Sequence, residues 1–192
     1  MRSLLPVAFL AMSAPLLAQS EHSPEPEKPK TKLEAFVAQD GAVIVQGFSK
    51  IGEVKGQYST SVVVESKELT NASSGKKEHG ITFEVRETRP ERDHTSYVDY
   101  DEIPSLIKGL EYIAKVDKSA TPFDNFQADY RTRGDLQIST YSTDGGAKIA
   151  AAVSSGTIGR TRAFLTLRDL DSLRTFVETA RAGLEKSRGA AK

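Results

Sequence analysis

The chain contains no cysteine and no tryptophan. Without thiols it can form no disulfide, carry no thiolate nucleophile and offer no sulfur ligand to zinc. Only three histidines are present, His22, His79 and His94, and they are widely spaced. Zinc needs three or four converging ligands, so no metal site and no cofactor is expected. A surplus of charge is also missing, because 26 basic residues face 26 acidic ones. A protein that binds a polyanion usually shows a basic excess, so nucleic acid is not an expected partner. Beyond residue 18 there is no long apolar run, and no membrane span is expected there.

What the chain does have is an apolar start, MRSLLPVAFLAMSAPLLA. Arg2 supplies one positive charge, Leu4–Leu17 forms an apolar stretch, and Ala18 is a small residue ahead of a cut. These are the parts of a secretory signal peptide over residues 1–18. Leu16 stands where a small residue is usual, which leaves the cleavage position open. An uncleaved anchor is the alternative reading. It is opposed by a length below the roughly 20 residues of a spanning helix and by Pro6 and Pro15. The address expected is the periplasm or the exterior. Loss of Arg2 with the leader leaves the remainder one basic residue short of its acidic count.

Residues 19–32, QSEHSPEPEKPKTK, alternate proline with charge and hold no apolar side chain. Such a segment buries too little surface to offset its ordering entropy, so it reads as a disordered tether. A single globular domain is expected over 33–187, with a disordered tail over 188–192.

Within that domain, strand signals come first. Ala42–Phe48 and Tyr58–Ser66 are β-rich, with Tyr58, Thr60, Val62 and Val64 on one face. Ile81, Phe83 and Val85 alternate with Thr82, Glu84 and Arg86, and Thr95–Tyr100 is a short fourth strand. Thr70–Gly80 reads as a long polar loop. A helix follows, because Ile103, Leu106, Leu110 and Ile113 form one apolar stripe. Pro104 falls in its first turn, where its missing N–H costs little.

The same order then recurs. Asn125–Arg131, Leu136–Tyr141, Lys148–Val153 and Ile158–Leu167 read as strands, and Arg168–Lys186 as a helix with the stripe Leu170, Leu173, Val177 and Ala180. Each stripe residue lies 67 positions after its counterpart. Val98 and Tyr100 match Leu165 and Leu167 at the same offset, as Ser105 matches Ser172 and Glu111 matches Glu178. Self-similarity at a fixed period points to duplication. The fold expected is α+β, a tandem repeat of a four-stranded antiparallel meander plus one helix (ββββα-ββββα), with repeats at 33–118 and 119–187. Each sheet is expected to lie under its own helix. In element order this resembles the Whirly single-stranded-DNA-binding proteins and, more loosely, the PUR repeats. The lysine-rich motif of the Whirly kind is missing, so the resemblance implies a fold and no function.

Catalytic patterns are sparse. There is no G-x-S-x-G elbow. Ser73–Lys77 and Ser154–Gly159 are rich in glycine and serine, but each joins strand to strand, whereas a phosphate loop must run into a helix. Asn71-Ala72-Ser73 fits a glycosylation sequon. Asp99, Asp101 and Glu102 can bind calcium, share acid–base work or compensate a helix dipole. The third role is the simplest, since the second repeat does not reproduce the cluster.

Arginines form the most suggestive set. On the last strand Ala163, Leu165 and Leu167 belong to the core, so Arg160, Arg162 and Phe164 project from the face away from the helix. Gln137, Ser139 and Tyr141 are expected beside them, with Arg131 and Arg133 from the first strand of the repeat. Tyr97 holds the position matched to Phe164. The candidate ligand-binding residues are therefore Arg131, Arg133, Tyr141, Arg160, Arg162, Phe164 and Tyr97, because arginine forks pair with anions and stack on rings. The plainer alternative is a solvated sheet face. The expected function is that of an exported, non-enzymatic binding or interaction module using exposed sheet faces, for a homodimer, a protein partner or a ligand. The alternative is a cell-envelope protein for an anionic small molecule or glycan. A carboxylate-dependent enzyme comes last.

Overall fold

The computed structural model describes residues 28–190. The expected leader lies outside the described residues, as does most of the expected tether. The chain runs α1 (Lys32–Val37), β1 (Ile44–Lys55), β2 (Thr60–Asn71), β3 (Lys77–Thr88), β4 (Glu91–Asp99), α2 (Ile103–Lys115), β5 (Gln127–Arg131), β6 (Leu136–Thr143), β7 (Lys148–Ser155), β8 (Thr161–Leu165) and α3 (Leu167–Ala190). Two four-stranded antiparallel sheets, ordered β1-β2-β3-β4 and β5-β6-β7-β8, are each followed by a helix. That is the expected α+β order, with one short helix ahead of it. No helix among the described residues is long and apolar enough to cross a membrane.

Three local expectations change. The polar stretch Thr70–Gly80 is mostly strand, because β2 and β3 pair from Thr60↔Glu87 out to Thr70↔Lys77 and leave a short turn. Polar composition hid the pairing, since the ends of long strands project into solvent and need no apolar alternation. At the N-terminus, Thr31 and Lys32 belong to the fold. Thr31 and Glu34 form a reciprocal capping box on α1. At the other end α3 runs through Arg188, whose guanidinium stacks on the Tyr100 ring at 3.9 Å.

The larger change concerns the helices. Each crosses the sheet of the other repeat. α3 lies on β1, β2 and β3, and α2 lies on β5 and β6. Thr140 of β6 donates its hydroxyl to the Ile113 carbonyl at 3.0 Å, a second donor beside the Val116 N–H at the end of α2. The apolar stripes are both buried, but against exchanged partners. One continuous core therefore joins Val62, Val64, Phe83 and Val98 of the first sheet to Ile138, Val153 and Leu165 of the second. Full burial of each stripe leucine or isoleucine contributes about 2 kcal/mol.

Steric detail supports the duplication. Through the strand registers, Gly52 in β1 corresponds to Tyr130 in β5, and Gly109 in α2 to Phe176 in α3. A Cβ on Gly52 would meet the Phe176 ring at 2.4 Å, and one on Gly109 would meet the Tyr130 ring at 2.4 Å. Each crossing holds one aromatic ring and one glycine, with their places on strand and helix reversed. The first hairpins correspond as well. Gly56 sits against the Phe164 carbonyl and Gly134 against the Tyr97 carbonyl, with no room for a Cβ at either place.

Candidate functional site

Alternation along β5–β8 sends one set of side chains to the core and the other outward. Two outward rows follow from the registers. One is Arg131, Gln137, Ser154 and Arg162, and the next is Asp129, Ser139, Ala152 and Phe164. Four strands make each row about 14 Å wide at a spacing of ~4.8 Å per strand. Small residues on β7 keep the middle of this face low.

At one end Arg131 and Arg160 flank Gln137 around a pocket of about 40 Å³. Arg160 Nη1 donates to Gln137 Oε1 at 3.0 Å, while its buried Nε has no hydrogen-bond partner. Arg162 Nε donates to Ser154 Oγ at 3.1 Å. Below them Asp129 accepts from Ser139 at 2.6 Å and from Gln137 and Gln127 at 2.9 Å. Burial works to raise the Asp129 pKa, but these three donors hold it below the ordinary value. The charge here is thus fixed by a polar network.

The other end is aromatic. Phe164 and Tyr141 border a groove of about 520 Å³ that also reaches Tyr58 and Lys148. Tyr58 meets Phe164 edge to face with centroids 5.5 Å apart. It is 78% exposed, and both it and Ser59 have positive φ, at 55° and 57°. Bulky residues rarely hold that conformation without compensating contacts, and such strain gathers at functional positions. The sequence pattern places Tyr58 on the core face of β2. The structure instead puts it in the tight turn before Thr60, where it leaves the alternation. Gln57 N–H donates to the Phe164 carbonyl at 2.8 Å and fixes that turn against β8. A glycine at 56 and the short gap between Val54 and Val62 were the available signals for this turn.

Of the seven candidate residues, Arg131, Tyr141, Arg160, Arg162 and Phe164 share this face. Two do not join them. Arg133 lies in the β5–β6 turn, where its side chain meets Asp101 at 3.0 Å and Glu102 at 3.2 Å, with Asp99 at 3.6 Å. The hydrogen bond to Asp101, then that to Glu102, keeps it firmly charged. Tyr97 is on the outer face of the first sheet, half-buried beside Leu33, Phe36 and Leu69 under α1. Equivalent positions in two repeats lie on two separate sheets, which is why offset matching could not bring them together.

The acidic cluster has its own explanation. Asp99 is 1% exposed and accepts the backbone N–H groups of Lys32 at 2.9 Å and Leu33 at 3.1 Å. It thereby satisfies open donors at the start of α1. His94 bonds Ser155 at 2.8 Å, and Ser155 bonds Ser96 at 2.6 Å, a seam between the two sheets. His79 pairs with Glu68 at 2.9 Å. Among the described residues no three acidic or histidine side chains converge as metal ligands. Asn71 of the sequon accepts the backbone N–H groups of Ser73 and Ser74 and shapes the β2–β3 turn.

Compared with known protein families, with curated proteins and with solved structures, the chain finds no match. The resemblance to Whirly and PUR repeats therefore rests on element order.

Proposed function

We propose that the protein is an exported, non-catalytic binding module, acting in the periplasm or outside the cell, and that the outer face of its second sheet receives an anionic ligand. The observation that carries this reading is the arrangement of that face. Arginines stand at one end, aromatic rings at the other, and small side chains lie between them, with no helix or strand of the described residues laid across. An open groove suits an extended ligand better than a small molecule that needs enclosure. An acidic glycan fits the chemistry: tyrosine and phenylalanine offer apolar surface to a sugar ring, and arginine forks pair with carboxylates. The donor Arg160 Nε, buried without a partner, supports an anionic contact at that end.

The test is a thermal-shift screen with uronate-containing oligosaccharides, their neutral counterparts and free uronic acids. Acidic oligosaccharides are expected to raise the melting temperature, and neutral ones are not. Replacing Arg160 and Arg162 together with alanine should abolish the shift, and Tyr58→Ala should reduce it. A shift that survives the double arginine replacement, or none with any acidic compound, refutes the reading.

A further inference from the structure

Four strands end the two sheets, and three of them are covered or blunted. The edge of β8 is occupied by the first repeat: Gln57 N–H reaches the Phe164 carbonyl, Thr60 Oγ1 accepts from Phe164 N–H, and Glu87 Oε1 accepts from Arg162 N–H at 2.6 Å. The β4 edge carries the Tyr97 carbonyl against Gly134. β5 has only five residues, and Asp129 and Arg131 lie on it, which are ordinary means of blunting an edge.

β1 differs on every count. It has twelve residues and, among the described residues, pairs only with β2. Its first half, Ile44–Ser49, holds no charge and no proline. Val45 is 56% and Phe48 64% exposed. The bulge that turns the strand comes only between Lys50 and Gly52. An uncharged, regular edge of this kind is a template for another strand.

The register says which groups it offers. The Val43 carbonyl accepts from Ala72 N–H, so Val43 and, by alternation, Val45 and Gly47 point their backbone groups toward β2. Ile44, Gln46 and Phe48 point theirs outward. We infer that β1 pairs antiparallel with β1 of a second copy of this chain, joining two first sheets into one of eight strands. A twofold axis through Gly47 makes the run self-complementary. Gln46 then exchanges both hydrogen bonds with Phe48 of the second copy, and the two glycines face each other in the close, non-hydrogen-bonded position. The two copies of Lys50 fall at opposite ends of the paired segment, so no like charges meet.

The experiment is light scattering on the exported chain across a wide concentration range. The mass is expected to double as concentration rises. Gln46→Pro removes an outward N–H and no internal ladder bond, so it should leave a monomer of unchanged circular dichroism. The same residues offer a second readout, because the chain has no cysteine of its own. A Cβ at Gly47 meets nothing nearer than 3.8 Å, so Gly47→Cys is accommodated. Mild oxidation should link Gly47→Cys chains into dimers, since facing residues of a non-hydrogen-bonded pair suit a disulfide. Ser74→Cys, at the hairpin tip, should stay reduced. A wild-type chain that is monomeric throughout, a dimer that survives Gln46→Pro, or equal crosslinking at both cysteines overturns the inference. None of these readouts depends on ligand binding by the second sheet.

Discussion

The two repeats share a plan and differ in what they leave open. In the first, three strands are twelve residues long, α1 is laid on the outer face, and one edge is unpaired among the described residues. In the second, strands have five to eight residues, the edges are blunted or filled, and among the described residues no helix lies on the outer face. Yet the buried halves correspond closely, down to one ring and one glycine at each helix crossing. A shared core with divergent surfaces is what packing physics favours. A core substitution must be compensated by its neighbours, while an exposed row is free to change.

The strongest way to break this comparison is at the crossings. Gly109→Phe drives a ring into Tyr130 and is expected to cost about 3 kcal/mol in urea unfolding. Adding Tyr130→Gly recreates the Phe176–Gly52 arrangement and should recover at least about 1 kcal/mol of that loss. If the two changes simply add, the crossings are not equivalent.

Next is the cover on the first sheet. Leu33 is fully buried between α1 and the outer face. Leu33→Ala should cost about 2 to 3 kcal/mol, whereas Arg162→Ala on the uncovered face should stay within about 0.5 kcal/mol. Chemical denaturation of both variants checks the contrast. Asp99→Asn is smaller. It weakens the bonds to Lys32 and Leu33 and should cost about 1 kcal/mol, with faster amide hydrogen exchange confined to α1.

The smallest effect is electrostatic and sits where the helix of one repeat meets the hairpin of the other. Glu68 has its pKa lowered to about 2 by the hydrogen bond from Lys77, then that from Ser187 of α3, with a further one from His79. Its folded value lies below the ordinary 4.5, so the unfolded chain binds the proton more readily. The stabilisation is fully present above about pH 4.5 and is lost as pH falls toward about 2. Glu68→Gln should flatten that part of the stability profile by lowering stability above about pH 4.5, with the two proteins converging as pH falls toward about 2. An acid slope identical in the two proteins would show that Glu68 is not held in this way.

Much of the fold was legible because core positions follow a period. The eight stripe residues at the 67-residue offset are all buried, and Ser96 and Ala163 occupy matched sites on β4 and β8. Turn glycines and Pro104 in the first turn of α2 were equally plain, whereas the acidic cluster expected to start α2 serves α1 and Arg133 instead. The candidate face was legible in part. Alternation correctly placed Arg162 and Phe164 outward with Gln137, Ser139 and Tyr141. It failed at Tyr58, where a left-handed turn breaks the period, and at Arg133, which leaves its strand to meet carboxylates from the other repeat.

By itself, then, the sequence determined which residues are buried, how strands and helices follow one another, and that the order occurs twice. Those features depend on local periodicity and on the cost of exposing apolar surface. Only the tertiary structure decided what covers what. An apolar stripe demands a cover but does not name it, and here each helix found the other repeat's sheet. The same is true of the faces left over. Whether Tyr97 or Phe164 ends beneath a helix depends on contacts made far along the chain, between α1, Asp99 and the first sheet, and these leave no periodic trace.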